Sequence, residues 1–218
     1  MKEKEIVFIG KITASVTHEV NNVLASIMEI SGLLTDILLI TTENSFPRKE
    51  KFQTSLQKIQ NQVQRGVKLT SQLNKFSLLS DNNKADVDLN EIIEHLIFLT
   101  ERFTRIKNVT LQIQPSNKSL TINTNPLLLQ MALFNCIAYL LNNMANGGEI
   151  SICPEKVESK YSINIICKGE VIDKSSIFKD SSTSEELLSL QNIMKSLDGV
   201  YGLDELTPCI MITFPGIK

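Results

Sequence analysis

Along the N-terminal part of this chain, apolar residues recur at alternating spacings of four and three. They are Ile9, Val16, Val20, Val23, Ile27, Ile30, Leu34 and Ile37, with Thr13 the one polar member of the series. A repeat of about 3.5 residues is the period of a coiled-coil seam. The pattern breaks at Thr41–Pro47, where polar residues and a proline mark a turn. It resumes at Phe52, Leu56, Ile59 and Val63, thins at Gly66 and Thr70, and returns at Leu73. Residues 1–80 are therefore expected to form an all-α helical hairpin, antiparallel, with a short polar connection. Leu24, Leu33 and Leu38 add a second apolar flank to the first helix, which needs its own partner. Two hairpins from two chains make a four-helix bundle, so a homodimer is expected.

After a polar linker at Ser80–Asp86 the period changes. Leu89–Thr104 reads as an amphipathic helix, while Val109–Ile113 and Ser119–Asn123 alternate like strands. Pro126 suits the first turn of a helix running to about Met144, and Gly147-Gly148 ends it before a strand at Glu149–Cys153. Tyr161–Cys167 reads as a strand, Ser184–Leu197 as a helix and Cys209–Phe214 as a last strand. Residues 86–218 thus predict an α/β sandwich, one helical layer on one mostly antiparallel sheet.

With 42% hydrophobic and 21% charged residues, the 218-residue chain has globular composition. A net charge of −2 argues against a mainly electrostatic grip on nucleic acid or an anionic membrane. No apolar run reaches the roughly 20 residues of a membrane span, and Met1–Glu5 leads into no signal-peptide block. A cytoplasmic protein is expected. The four cysteines, Cys136, Cys153, Cys167 and Cys209, form no CxxC pair and have no nearby histidine, which argues against zinc and against a disulfide framework.

Histidine chemistry rests on His18 or His95, the only two present. In the heptad of the first helix His18 falls at f, farthest from the seam. Lys11, Ala25 and Gly32 share that position, and Ser15 and Asn22 flank it at c. The face is expected to be exposed, and low enough for a folded partner to reach the ring. An unperturbed imidazole there is partly neutral and nucleophilic at cytosolic pH. His95, beside Leu96, Ile97 and Phe98, reads as a packed or surface histidine.

Residues 12–27, with His18-Glu19-Val20-Asn21-Asn22-Val23-Leu24 at their centre, resemble the phosphoacceptor box of bacterial two-component histidine kinases. The closest subgroup has a His-Glu-(Ile/Val)-Asn-Asn-Pro-Leu core. The resemblance implies that His18 is the phosphorylated nucleophile and that Glu19 accepts a proton from the ring's other nitrogen. It also implies that Asn22 orients a water for dephosphorylating the partner, and that Lys11, Ser15, Ala25 and Gly32 face a docked receiver domain. Val23 stands where the family has proline, which leaves the helix without that kink.

The second part resembles the ATP-binding domain that follows this bundle in the same family. Leu127–Tyr139 looks like the asparagine-box helix, with Asn135 at its first asparagine. Tyr139 stands at the second, magnesium-ligating position, where a phenol is a poor ligand. Asn142 and Asn143 come three and four residues late. Cys167-Lys168-Gly169-Glu170-Val171-Ile172 occupies the place of Asp-x-Gly-x-Gly, keeping only Gly169. Ser184-Glu185-Glu186-Leu187 replaces the glycines of the lid, so side chains and two carboxylates stand where phosphates would lie.

These departures lead to an expectation of a degenerate ATPase-like domain without ATP, with no tightly bound cofactor and with Mg²⁺ in a partner receiver. The expected function is histidine phosphotransfer between response-regulator aspartates through His18. A divergent sensor histidine kinase core that autophosphorylates His18 from ATP is the alternative, and a non-catalytic receiver-binding scaffold is a third reading.

Overall fold

The computed structural model describes residues 2–39, 49–79, 84–170, 184–204 and 209–215. The connection expected at Thr41–Pro47, Ser80–Asn83 of the linker, and Val171-Ile172 lie outside them. Two compact units are present: residues 10–76, and residues 1–9 together with 77–218.

The first unit consists of the greater part of α1 (Lys2–Leu39) and of α2 (Lys49–Leu78). Glu19 meets Arg65, and farther along α1 a groove runs from Ala25–Asp36 to Lys58–Gln62, so the helices run antiparallel. Along α1 the seam holds: Val16, Val23, Leu34 and Ile37 are buried. Toward the N-terminal end the stripe drifts, so that Ile12, Ser15 and Glu19 turn inward and Thr13 outward. A straight α-helix of 3.6 residues per turn rotates away from a 3.5-residue repeat in this way.

On α2 the expected seam is corrected. Ser55, Leu69 and Phe76 are its buried residues, while Leu56 is 42% and Val63 47% exposed. Gly66, a member of the expected seam, does face α1: a Cβ built there would lie 3.3 Å from Val23 Cγ1. Leu56, Val63 and Val67 are exposed, as are Leu24, Met28, Leu33 and Leu38 on α1. Contrary to the expectation that no segment is apolar enough to span a membrane, α1 is long and apolar enough to cross one. Glu29 and Asp36 interrupt the run in sequence and hide this.

The second unit contains β1 (Ala85–Asp88), α3 (Leu89–Ile106), β2 (Thr110–Ile113), β3 (Thr121–Thr124), α4 (Pro126–Asn143), β4 (Glu149–Val157), β5 (Lys160–Lys168), α5 (Glu185–Ser196), β6 (Val200–Asp204) and β7 (Cys209–Phe214). Strands order β2-β4-β5-β7-β6, parallel only between β2 and β4, and β1 pairs with β3 in a separate ribbon. Ile150, Ile152, Ile163, Ile165, Ile210 and Ile212 are fully buried on the sheet's inner face, and the helices supply Ile93, Leu96, Leu129, Leu133, Leu187 and Leu190. Each helix starts on a side-chain cap. Asp88 accepts from the backbone N–H groups of Asn90 and Glu91, Asn125 from Leu128, and Ser184 from Leu187.

The sequence reading misses β1 and β6 and ends β4 at Cys153. Pro154 suggests that early end, yet β4 continues through it, because β2 stops at the level of Ile152 and leaves no ladder there for an N–H to serve. Phe8, on the first turns of α1, places its ring 5.3 Å from Phe134, which also meets Phe103 edge-on at 5.5 Å.

Candidate functional site

On the hairpin, residues 18–23 of α1 and 65–66 of α2 form one cluster. His18 is about half exposed, its side chain at 51%. Asn22, one turn on, brings its amide nitrogen to 3.2 Å from His18 Nδ1 and to 3.5 Å from Glu19 Oε1. In this amide orientation Nδ1 accepts and the ring proton sits on Nε2. Turning the amide over presents Oδ1 and lets Nδ1 donate, so the tautomer and the amide change together.

Glu19 Oε1 stands 3.9 Å from Nδ1, beyond hydrogen-bond reach, while its Oε2 accepts from the Arg65 guanidinium at 2.8 Å. Glu19 is nearly buried, with a side chain only 9% exposed, so its charge has a partner where water is scarce. The reading that Glu19 takes the ring proton thus meets a carboxylate at the right nitrogen, one short step away and already held from behind. Asn22, expected to orient a water, touches the ring itself.

Of the residues expected to face a receiver, Lys11, Ala25 and Gly32 are exposed. Ser15 is not. It is 1% exposed, a correction with the same cause as the drifting stripe: three residues before His18 the c position has rotated into the buried side. Ala25 and Gly32 line a groove of about 920 Å³ with Met28, Leu33, Asp36 and Lys58.

In the sheet unit, α4 carries Asn135 and Tyr139. The Asn135 amide donates to the carbonyl of Met131 at 2.8 Å, and Asn143 does the same to Tyr139, so both amides are turned onto their own helix. Tyr139 is 5% exposed, and burial, then the negative charge of Glu186, pushes its phenol above the usual range. Glu186 is held from two sides, by Asn142 Nδ2 at 2.9 Å and by Ser184 Oγ at 2.7 Å. Cys167 is buried, and that burial pushes its thiol up. Gly169 packs against Gly148. A Cβ on Gly148 (φ 103°) would come within 2.7 Å of the Lys168 carbonyl and 3.2 Å of Gly169 Cα. Gly169 is accounted for by this backbone crossing alone. Among the described residues no three His, Cys, Asp or Glu side chains gather as a metal site.

No family model matches the chain, and no curated protein does. Solved structures do. A structure of Acinetobacter baumannii histidine kinase AdeS covers 88% of this chain and 96% of its own at 16% identity, with a TM-score of 0.53. The catalytic domain of histidine kinase ThkA covers 62% of this chain and 98% of its own at 19% identity, with a TM-score of 0.52. The fold is that of a two-component histidine kinase core.

Within this histidine kinase core fold, His18, Glu19 and Asn22 come together, as their spacing on one helix requires. Asn135 and Tyr139 share α4, with Glu186 of α5 close enough to Tyr139 to act on its phenol. Sequence reasoning missed Arg65, which lies 46 residues from its partner. The signal that could have found it is Gly66, an isolated glycine inside a helical pattern, which marks a close backbone approach.

Proposed function

We propose that His18 accepts a phosphoryl group in two-component signalling, and that the chain passes it between the aspartates of response-regulator receiver domains. The observation that carries this reading is the hairpin cluster. With the Asn22 amide turned so that Nδ1 donates to its Oδ1, and with Glu19 behind that nitrogen, the half-exposed imidazole keeps its lone pair on Nε2 to meet a donor in line. The groove lined by Ala25, Gly32 and Leu33 beyond it gives a receiver a place to seat.

The residues of the sheet unit do not fit a nucleotide. At the second asparagine position a buried phenol stands where magnesium needs a compact oxygen donor, and the Glu186 carboxylate, held by Asn142 and Ser184, would repel phosphate. The magnesium that receiver chemistry requires belongs to the receiver's acidic pocket.

The test is incubation with a panel of phosphorylated receivers. An acid-labile, base-stable label should move onto this chain and be lost in His18→Gln. Label on His95, or on the His18→Gln variant, overturns the site.

A second reading has its own support. The similar solved structures are of histidine kinases, and this favours ATP over an aspartyl phosphate as the phosphoryl source. Labelling of His18 by γ-labelled ATP with no receiver present would install that reading in place of the first.

A further inference from the structure

A nucleophile and its base are commonly completed by a third group that orients the base. On this hairpin we infer that Arg65 is that positioning residue, holding Glu19 toward His18, and that Gly66 is the device that lets Arg65 reach it. The inference rests on His18 being the acceptor.

Glu19 has two oxygens with separate tasks. Oε2 is fixed by Arg65 at 2.8 Å, which turns Oε1 toward Asn22 and His18 Nδ1 at 3.5 and 3.9 Å. Without the guanidinium, a nearly buried carboxylate would lose a charge-assisted hydrogen bond that fixes its orientation. Arg65 can serve only if the helices stay close at this level. That approach is close one residue on, where a Cβ on Gly66 would lie 3.3 Å from Val23 Cγ1, tighter than ordinary contact. The tight point and the ion pair are therefore one feature.

In the step itself, the Nε2 lone pair attacks phosphorus. The bond from phosphorus to the departing oxygen of the aspartyl phosphate breaks, and its electron pair leaves on the regenerated carboxylate. The Nδ1 proton passes to Glu19 Oε1. Arg65 touches none of the reacting atoms; it holds Oε1 on the Nδ1 side of the ring, from which a short rotation brings it to that proton.

The experiment uses phosphoramidate, a small donor that loses ammonia when a ring nitrogen attacks its phosphorus and needs no cognate receiver. His95, the only other histidine, is the reference within each sample. Phosphorylation at each ring is followed by ³¹P NMR in the full chain. Arg65→Gln should slow His18 about tenfold relative to His95, and Arg65→Lys should recover most of the rate. Gly66→Ala should slow His18 severalfold while its melting temperature holds or rises, because alanine is the better helix former. Adding Val23→Ala to Gly66→Ala removes the methyl that the new Cβ meets and should restore the rate to within twofold.

Equal His18 rates in wild type and Arg65→Gln overturn the inference, as does a Gly66→Ala defect that Val23→Ala leaves in place. A wild-type chain that takes label from phosphoramidate but from no receiver and no ATP would leave this inference standing and remove the proposed function.

Discussion

Glu19 divides its carboxylate between α2, through Arg65, and its own helix, through Asn22. Removing any one of the three should leave the other two misplaced, so single substitutions are expected to be non-additive. Glu19→Ala should slow transfer to His18 by about 10²-fold, in the range for loss of a general base, as measured by label transfer from the receiver that labels wild type. Asn22→Ala should slow transfer as well, because the amide is in contact with Nδ1. A pure dephosphorylation role would spare the forward rate, and comparing forward with reverse rates separates the two.

At the scale of elements, Asp88 ties the start of α3 to the strand region at Ser119. Its carboxylate accepts from two α3 N–H groups and from the Ser119 hydroxyl, and these bonds, Ser119's first, hold its carboxyl below the usual range. A group with a lowered folded pKa contributes stability above its unfolded value and loses it as pH falls through the folded one. The Asp88 contribution should therefore be complete at neutral pH and fade only below about pH 4. Asp88→Ala should cost about 1 kcal/mol at pH 7 in denaturant unfolding, and progressively less as pH falls below about 4. The crossing of Gly148 and Gly169 is stricter. Gly148→Ala forces a Cβ against the Lys168 carbonyl at a left-handed φ of 103° and should cost about 1–3 kcal/mol, read as a loss of melting temperature.

For the whole molecule, the question is what covers the hairpin. Leu24 and Leu38 on α1 and Leu56, Val63 and Val67 on α2 are all at least 42% exposed. Bundle formation with a second copy would cover such residues on both helices. Light scattering of the full chain at micromolar concentration should give twice its 24.4 kDa mass, and melting temperature should rise with concentration. Leu56→Glu with Val63→Glu should yield a monomer. A wild-type monomer of unchanged stability on dilution refutes the bundle. Calorimetry with ATP and magnesium should show no binding tighter than about 1 mM, roughly 4 kcal/mol, and micromolar affinity would mean that the Glu186 carboxylate can be displaced.

What the sequence by itself determined is local. The seam of α1, the caps at Asp88, Asn125 and Ser184, and the placing of His18, Glu19 and Asn22 on one helix all depend on neighbours within a turn or two, where spacing alone dictates geometry. The departures at Tyr139 and Cys167 are legible for the same reason, because each is a single side chain at a known offset in its motif. Tertiary structure decided the rest. On α2 it buries Ser55, Leu69 and Phe76 and leaves Leu56 and Val63 exposed, against the apolar pattern. Ser15 was buried by a rotation too small for heptad letters to register. Arg65 reaches Glu19 across 46 residues, and Asn142 reaches Glu186 across 44. Such pairs depend on how elements pack, and packing is fixed by close approach and buried area summed over the fold, which no local window of sequence contains.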